Sequence, residues 1–133
     1  GDIICIDDPH NVVDSDSSKV REGVLEWWDQ AMQTRLNDPR TGAFVIIMQR
    51  VHEQDLTGHI LSNQLGNEWD HLCLPARYEI GHPTPSKSML GFSDPRTAEG
   101  ELLWPERIDD RTLKTLDIKA MIAPSCLNAG TIR

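Results

Sequence analysis

The chain has little positive charge, few cysteines and no long hydrophobic segment. Its 133 residues contain 13 Lys and Arg against 21 Asp and Glu, which gives a formal net charge of −8. Binding of DNA by this segment alone would need clustered Lys and Arg residues to contact the phosphates, so the negative net charge argues against DNA binding. No apolar run approaches the roughly 20 residues that span a bilayer, and the N-terminus lacks the basic region of a secretory signal. We therefore expect a cytoplasmic protein without a membrane segment.

The three cysteines do not form a framework. Cys5, Cys73 and Cys126 are far apart and odd in number, which fits neither a set of disulfides nor the ligand spacing of a zinc site. Cys5 lies inside an apolar run and is predicted to be a small core residue. A zinc-protease pattern begins at His52, but Leu56 stands where H-E-x-x-H requires its second histidine.

Short apolar runs alternate with amphipathic segments along the chain. Residues 3–6 (IICI) and 43–48 (AFVIIM) are predicted to be strands buried on both faces. A helix is predicted over about 19–36, because Val20, Val24 and Trp27 recur at helical spacing. The order strand, helix, strand, helix is typical of a parallel α/β sheet with flanking helices. The remaining predictions are helices within 53–63 and 107–122, a strand near 72–74, and a long surface loop over 81–99.

Polar residues follow both predicted strands at the point where each ends. Asp7 and Asp8 follow the first strand, and Gln49 and Arg50 follow the second. Sites in parallel sheets lie at the carboxyl ends of the strands, so we expect these residues at one edge. Asp7 could fix a magnesium ion through water, and Asp8 could orient or deprotonate an attacking water. The two acids could equally cap a strand and begin a turn.

The residues after the second strand also allow more than one role. Gln49 could sense a γ-phosphate or a water molecule. Arg50 could stabilise phosphoryl charge or pair with Asp7 or Asp8. A purely structural ion pair of Arg50 agrees with the sequence at least as well as a role at phosphoryl groups does. Arg35, at the end of the predicted helix, is a further candidate cation.

Four stretches, in this order and approximate spacing, resemble the large terminase subunit of tailed phages and prophages. They are IDDPHNVVDSDS, EWWDQAMQTRLNDPRTGAF, VIIMQRVHEQDLTGHIL and the run from HLCLPARYE to GELLWPER, and they cover about residues 3–120. The resemblance implies that residues 1–122 are the C-terminal part of a partial P-loop NTPase of the additional-strand, catalytic-glutamate type. It also implies that residues 123–133 are an atypical tail near the linker to a nuclease domain, which we expect to be missing.

The resemblance also implies an activity, cofactors and partners. The activity is ATP-driven DNA packaging, with Mg²⁺ and ATP as cofactors. The partners would be the small terminase subunit, the portal protein, double-stranded DNA and further copies of the chain. Within the family, the same large subunit also carries an endonuclease.

On this template, residues 3–8 are the Walker B strand. Asp7 matches the magnesium acid, and Asp8 matches the catalytic carboxylate, although Glu is usual there. Gln49 and Arg50 end the strand of the coupling motif, where a small residue or Thr is common at position 49. The Walker A loop is absent from the sequence. Its strand would lie between the other two, so its loss predicts unpaired strand edges and a chain that does not hydrolyse ATP alone.

Two other functions remain open on the sequence. A metal-dependent nuclease could use Asp7 and Asp8, although such sites need three or four carboxylates around two metal ions. A non-catalytic interaction module of a prophage remnant could associate through exposed strand edges and Trp28. We expect Trp27 in the core and Trp28 partly buried or at an interface.

Overall fold

The chain folds as a mixed α/β structure. The computed structural model describes residues 1–11, 14, 17–63, 69–83, 87–119 and 126–132. Within these ranges there are three α-helices and five strands in one sheet. None of these helices combines the length and apolar character needed to cross a membrane. The elements in chain order are β1 (Ile3–Asp7), α1 (Ser18–Trp27), β2 (Ala43–Gln49), α2 (Leu56–Ser62), β3 (Asp70–His71), β4 (Leu74–Pro75), α3 (Asp110–Lys119) and β5 (Cys126–Ile132).

The strands β1 and β2 pair directly and in parallel. Ile3 lies opposite Ala43, and Asp7 lies opposite Ile47. The expectation that a missing strand leaves these two apart, with unpaired edges between them, is therefore wrong. The two strands satisfy each other's backbone groups, as buried N–H and C=O groups require.

The C-terminal tail contributes a strand that the sequence does not indicate. β5 pairs antiparallel with β2, β3 and β4, and the main order across the sheet is β1-β2-β5-β3. Asn128, Ala129 and Gly130 are poor strand formers, so propensity gives no sign of it. Pairing with the free edge of β2 determines the strand instead.

One face of the β1–β2 pair packs on helices, and the other face is exposed. Ile3 is 66% exposed and Ile47 is 46% exposed, and Cys5 lies on the same exposed face. The predictions that both strands are buried on two faces and that Cys5 is a core residue are therefore wrong. Both faces of these strands carry apolar residues, so the sequence does not show the alternation of buried and exposed positions that is typical of a half-exposed strand. The side chains of this pair that enter the core are Ile6, Phe44, Ile46 and Met48.

The two adjacent tryptophans have the reverse of the expected roles. Trp28 is 4% exposed, whereas Trp27 is 41% exposed. The ring of Trp28 meets Phe44 edge-on with centroids 5.1 Å apart, and the Trp69 ring lies 5.8 Å away. Helix α1 ends at Trp27 and continues as a π-helical turn, Trp28–Met32, so the regular helix is shorter than predicted.

The remaining elements follow the sequence more closely. Helix α2 lies inside the predicted range but begins at Leu56, because Asp55 caps it. The predicted third strand near 72–74 is replaced by two short strands, β3 before it and β4, which begins at its last residue, Leu74. The described part of the 81–99 loop contains one isolated bridge, between Lys87 and Ser93. Helix α3 falls within its predicted range.

Candidate site at the carboxyl ends of the parallel strands

The carboxyl ends of β1 and β2 meet at one edge of the sheet, as expected. Their parallel register ends with Asp7 beside Ile47, so Asp8 and Gln49 lie immediately beyond it. The backbone N–H of Asp8 donates to the carbonyl of Ile47 at 2.8 Å. The backbone N–H of Gln49 donates to the Asp8 carboxylate Oδ1 at 3.1 Å. Asp7, Asp8 and Gln49 are all exposed, so this edge is open to solvent.

The side chain of Asp8 accepts the last hydrogen bond between β1 and β2 in place of its backbone carbonyl. The hydrogen bonds between the two strands begin with the N–H of Ala43, which donates to the carbonyl of Asp2 at 2.9 Å. If this alternation continued to the end of the strands, the N–H of Gln49 would donate to the carbonyl of Asp8. Asp8 instead has φ of 39°, in the left-handed region that Asp tolerates better than most residues. Its carboxylate then accepts the bond from Gln49. One oxygen of the predicted catalytic carboxylate therefore has a structural partner.

Asp7 borders a shallow groove between β1 and α1. The groove has a volume of about 350 Å³, and among the described residues that line it Asp7 supplies the one ionisable side chain. Magnesium sites commonly use one or two carboxylates and complete their shell with water and phosphate oxygens. Asp7 fits the part of one such carboxylate. The other lining residues are Ile6, Pro9, Val20, Gly23, Val24 and Trp27.

Arg50 does not pair with Asp7 or Asp8. Its Nε donates to Oδ2 of Asp55 at 2.8 Å. Its Nη2 donates to the carbonyls of His52 and Glu53 at 3.3 and 3.4 Å. Of the roles left open by the sequence, pairing of Arg50 with the acids after β1 is therefore wrong, and the structure shows a structural ion pair with Asp55.

Asp55 organises the segment after β2, and the sequence reasoning did not single it out. Its side chain is completely buried. Oδ1 accepts from the N–H of Gly58 at 2.9 Å, which is a helix N-cap bond. Oδ2 accepts from the N–H groups of Val51 and His52 at 3.1 and 3.4 Å, in addition to Arg50. The signal was present, because an Asp directly before an apolar-periodic run marks a helix start.

His10 joins this cluster from the other strand end. It is buried, and its Nε2 accepts a hydrogen bond from the backbone N–H of Leu56 at 2.8 Å. Burial lowers the pKa of His10 below its ordinary value; Asp55 acts to raise it, and Arg21 lowers it further. No local pattern in the sequence points to this contact, since the two residues lie 46 positions apart.

The other candidates have separate surroundings. The carbonyl of Arg35 accepts from the amino group of Gly1 at 3.1 Å, beside the start of β1. The five residues of β1 span roughly 16 Å, so this position belongs to the opposite edge of the sheet. The ring Nδ1 of His52 accepts from the N–H of Gln54 at 3.0 Å. Among the described residues, no group of three or more His, Cys, Asp or Glu could hold a metal ion.

The described residues at the two strand ends do not have the composition of a phosphate-binding loop. Walker-type phosphate loops need a ring of backbone N–H groups and a lysine at a strand end. β1 is followed by Asp8, Pro9 and His10, and β2 is followed by Arg50 and Val51. Neither segment is glycine-rich or carries a lysine. Comparison with protein-family models, curated proteins and solved structures finds no match.

Proposed function

We propose that this chain is the Walker B and coupling part of an ATP-driven DNA-packaging motor of a tailed phage or prophage, and that it is inactive alone. The observation that carries the proposal is the meeting of Asp7, Asp8 and Gln49 at the carboxyl edge of a parallel strand pair. The finer fold that we propose is a partial P-loop NTPase sheet. The four stretches that resemble the large terminase subunit support the same assignment.

Within this proposal the roles of the chain are limited. Asp7 is the residue that would hold a magnesium ion through water. Gln49 and Asp8 are bonded to each other, so they would respond together to a change at this edge. Arg50 positions the segment after β2 through Asp55. We assign no step of ATP hydrolysis to the isolated chain, because its sequence contains no Walker A phosphate-binding loop.

The partners belong to the proposal as well. With a formal charge of −8, this chain is a poor surface for phosphate backbones. Contact with double-stranded DNA would therefore come through the other components, which we infer to be the small terminase subunit and the portal protein. Further copies of the chain would assemble in the same motor.

The first test is phosphate release from ATP and Mg²⁺ by the purified chain. We expect no steady release above the buffer value, and no difference between the wild type and Asp7→Ala. Steady turnover by the wild type that disappears in Asp7→Ala would refute the claim that the chain is inactive alone.

A second test addresses the motor assignment itself. We expect the neighbouring reading frame to encode G-x-x-x-x-G-K-[ST], and its product to restore phosphate release when mixed with this chain. Asp7→Ala should abolish the restored activity. Asp2→Ala, which changes an exposed acid at the opposite edge of the sheet, should leave it intact. The assignment would be contradicted if no neighbouring reading frame encodes such a loop. It would also be contradicted if the restored phosphate release is the same with Asp7→Ala as with the wild type.

One observation favours a second function, that of an interaction module. Parallel strands are normally covered on both faces, yet Ile3 and Ile47 are exposed on this pair. Trp28 is buried and is not part of such a surface, contrary to expectation. Sedimentation velocity on the wild type and on Ile47→Thr tests this function, with Ile80→Thr as a control on an exposed loop residue. Self-association that only Ile47→Thr removes supports the interaction module, and a monomeric wild type counts against self-association.

A nuclease is not proposed, because no third ligand joins Asp7 and Asp8 in the described part of the chain.

A further inference from the structure

The turn after β1 and the first turn of α2 are joined by one buried hydrogen bond. The imidazole Nε2 of His10 accepts it from the backbone N–H of Leu56 at 2.8 Å. Asp55, the N-cap of α2, lies beside this bond and holds Arg50 through its second oxygen. We call the group of His10, Asp55 and Leu56 the His10 junction. We propose that the His10 junction is an acid-sensitive link that holds the two strand-end segments together and opens when the ring of His10 takes up a proton.

The direction of the hydrogen bond fixes the state of the imidazole. The N–H of Leu56 belongs to the first turn of a helix, where backbone donors have no partner within the helix. A backbone N–H can only donate, so Nε2 must offer its lone pair. The ring of His10 is therefore neutral, with its proton on Nδ1. Protonation would place a second N–H against that of Leu56 and break the bond.

The surroundings of His10 mostly oppose the charged ring. Its burial removes water from the cation, and Arg21 of α1 is a buried cation near it. The N-terminus of a helix also carries partial positive charge. Asp55 at the start of α2 acts in the opposite direction. On its own turn, the nearest charged group along the chain is Asp8, which is exposed and bonded to Gln49.

The sign of the pH effect follows from these contacts. The pKa of His10 in the folded chain lies below its ordinary value of 6.5. The unfolded chain therefore takes up a proton first as the pH falls. The junction stabilises the fold fully above pH 6.5 and loses this contribution as the pH falls toward the lower folded value. The depressed pKa values of Asp38, Asp94, Asp109 and Asp110 act below their ordinary value of 3.8, in a separate window.

His71 also contributes in the same window. Burial lowers the pKa of His71, and Arg50 lowers it further, while Asp55 and Asp70 raise it and His82 lowers it. A pH profile of the wild type alone would therefore combine both histidines. Measurements at individual atoms and at matched variants separate them.

The direct test is an NMR titration of the wild-type chain from pH 7.5 to pH 5. We expect the ring nitrogens of His10 to report the neutral Nδ1–H form at pH 7. On acidification below the ordinary histidine pKa of 6.5, the exchange protection of the Leu56 amide, corrected for its intrinsic rate, should fall by up to about tenfold for each pH unit until the folded pKa of His10 is reached, and then level off. A His10 ring that titrates at or above pH 6.5, or a Leu56 amide whose protection does not follow that titration, overturns the proposal.

Variants provide the second test. His10→Gln keeps an acceptor oxygen that cannot be protonated, so its melting temperature should depend less on pH between 7 and 5 than that of the wild type. His71→Gln removes the other contributing histidine, and the pH dependence that remains in this variant should be the part that His10 contributes. Equal pH dependence in wild type and His10→Gln would refute the link. These outcomes depend on the packing of the chain and not on ATP chemistry, so they are independent of the proposed function.

Discussion

At the scale of single residues, a completely buried carboxylate, that of Asp55, organises the segment after β2. Asp55 accepts from the side chain of Arg50 and from the backbone N–H groups of Val51, His52 and Gly58. A buried charge is tolerated only when such partners surround it. The cluster fixes the segment after β2 and the start of α2 at the same time.

We expect Asp55→Asn to destabilise the fold by about 2–4 kcal/mol, because Arg50 loses its charged partner and one oxygen is replaced by a donor. The matched control is Asp38→Asn. Asp38 forms a surface pair with Arg40, whose side chain is 86% exposed, and exposed pairs contribute little. Urea unfolding at pH 7.5 measures both variants. A loss at Asp38 that equals the loss at Asp55 would contradict this ranking.

The sequence predicts part of this cluster and leaves the rest open. Arg50 follows an apolar strand, which indicates a cation at the sheet edge, and a structural ion pair was one expected role. Its partner could not be chosen, since Asp7, Asp8 and Asp55 are all near in sequence or in the expected fold. The choice depends on the turn after β2, where the chain doubles back within five residues.

At the scale of elements, helix α1 shows why an apolar stripe can mislead. The stripe formed by Val20, Val24 and Trp27 borders the open groove beside Asp7. The neighbouring stripe, one residue further on, faces the sheet and includes the buried Arg21 and Trp28. A charged residue in the inward stripe makes the outward one look more hydrophobic in the sequence. Periodicity therefore identified the helix but not its buried side.

Two helical glycines give opposite expectations for substitution by alanine. A Cβ on Gly58 would overlap the carbonyl oxygen of Glu53, while a Cβ on Gly23 meets nothing within 4 Å. We expect Gly58→Ala to cost about 1–3 kcal/mol through the forced shift of the turn before α2. Gly23→Ala should stabilise α1 by about 0.5–1 kcal/mol. Thermal unfolding of the two variants measures this, and a shift of the same sign in both would contradict it.

At the scale of the whole molecule, the sheet is covered unevenly. The core lies between the inner face of β1–β2 and the helices, while Ile3, Cys5 and Ile47 face outward. The uncovered face is consistent with the proposal that the chain works as part of a larger motor. It also gives a chemical probe of the arrangement, because Cys5 is exposed and Cys73 is buried.

We expect a thiol reagent to modify Cys5 in the native chain and to spare Cys73, which is 1% exposed, until the chain unfolds. Reactivity requires access of the reagent to the thiolate. Mass spectrometry after brief labelling, with and without denaturant, distinguishes the two sites. Cys5→Ser and Cys73→Ser serve as controls. Native protection of Cys5 would show that its face is covered in solution.

Across the whole chain, the features that could be predicted are those with short-range signals. Apolar runs located β1 and β2, and the polar residues at their ends predicted which residues meet at the sheet edge. The contact between His10 and Leu56 and the pairing of β5 join distant segments. No local pattern encodes them. Long-range packing decided those features, as it decided which face of the sheet is exposed.

The bond between Asp8 and Gln49 restricts which amino acid can stand at position 8. The residue must tolerate a left-handed backbone and also place an acceptor oxygen two bonds beyond its Cβ. Asparagine meets both conditions. Glycine adopts the backbone but has no oxygen, and glutamate carries its oxygens one methylene too far for the same turn. The shorter acid at this position is thus a geometric requirement of the strand end, whatever chemistry the edge performs.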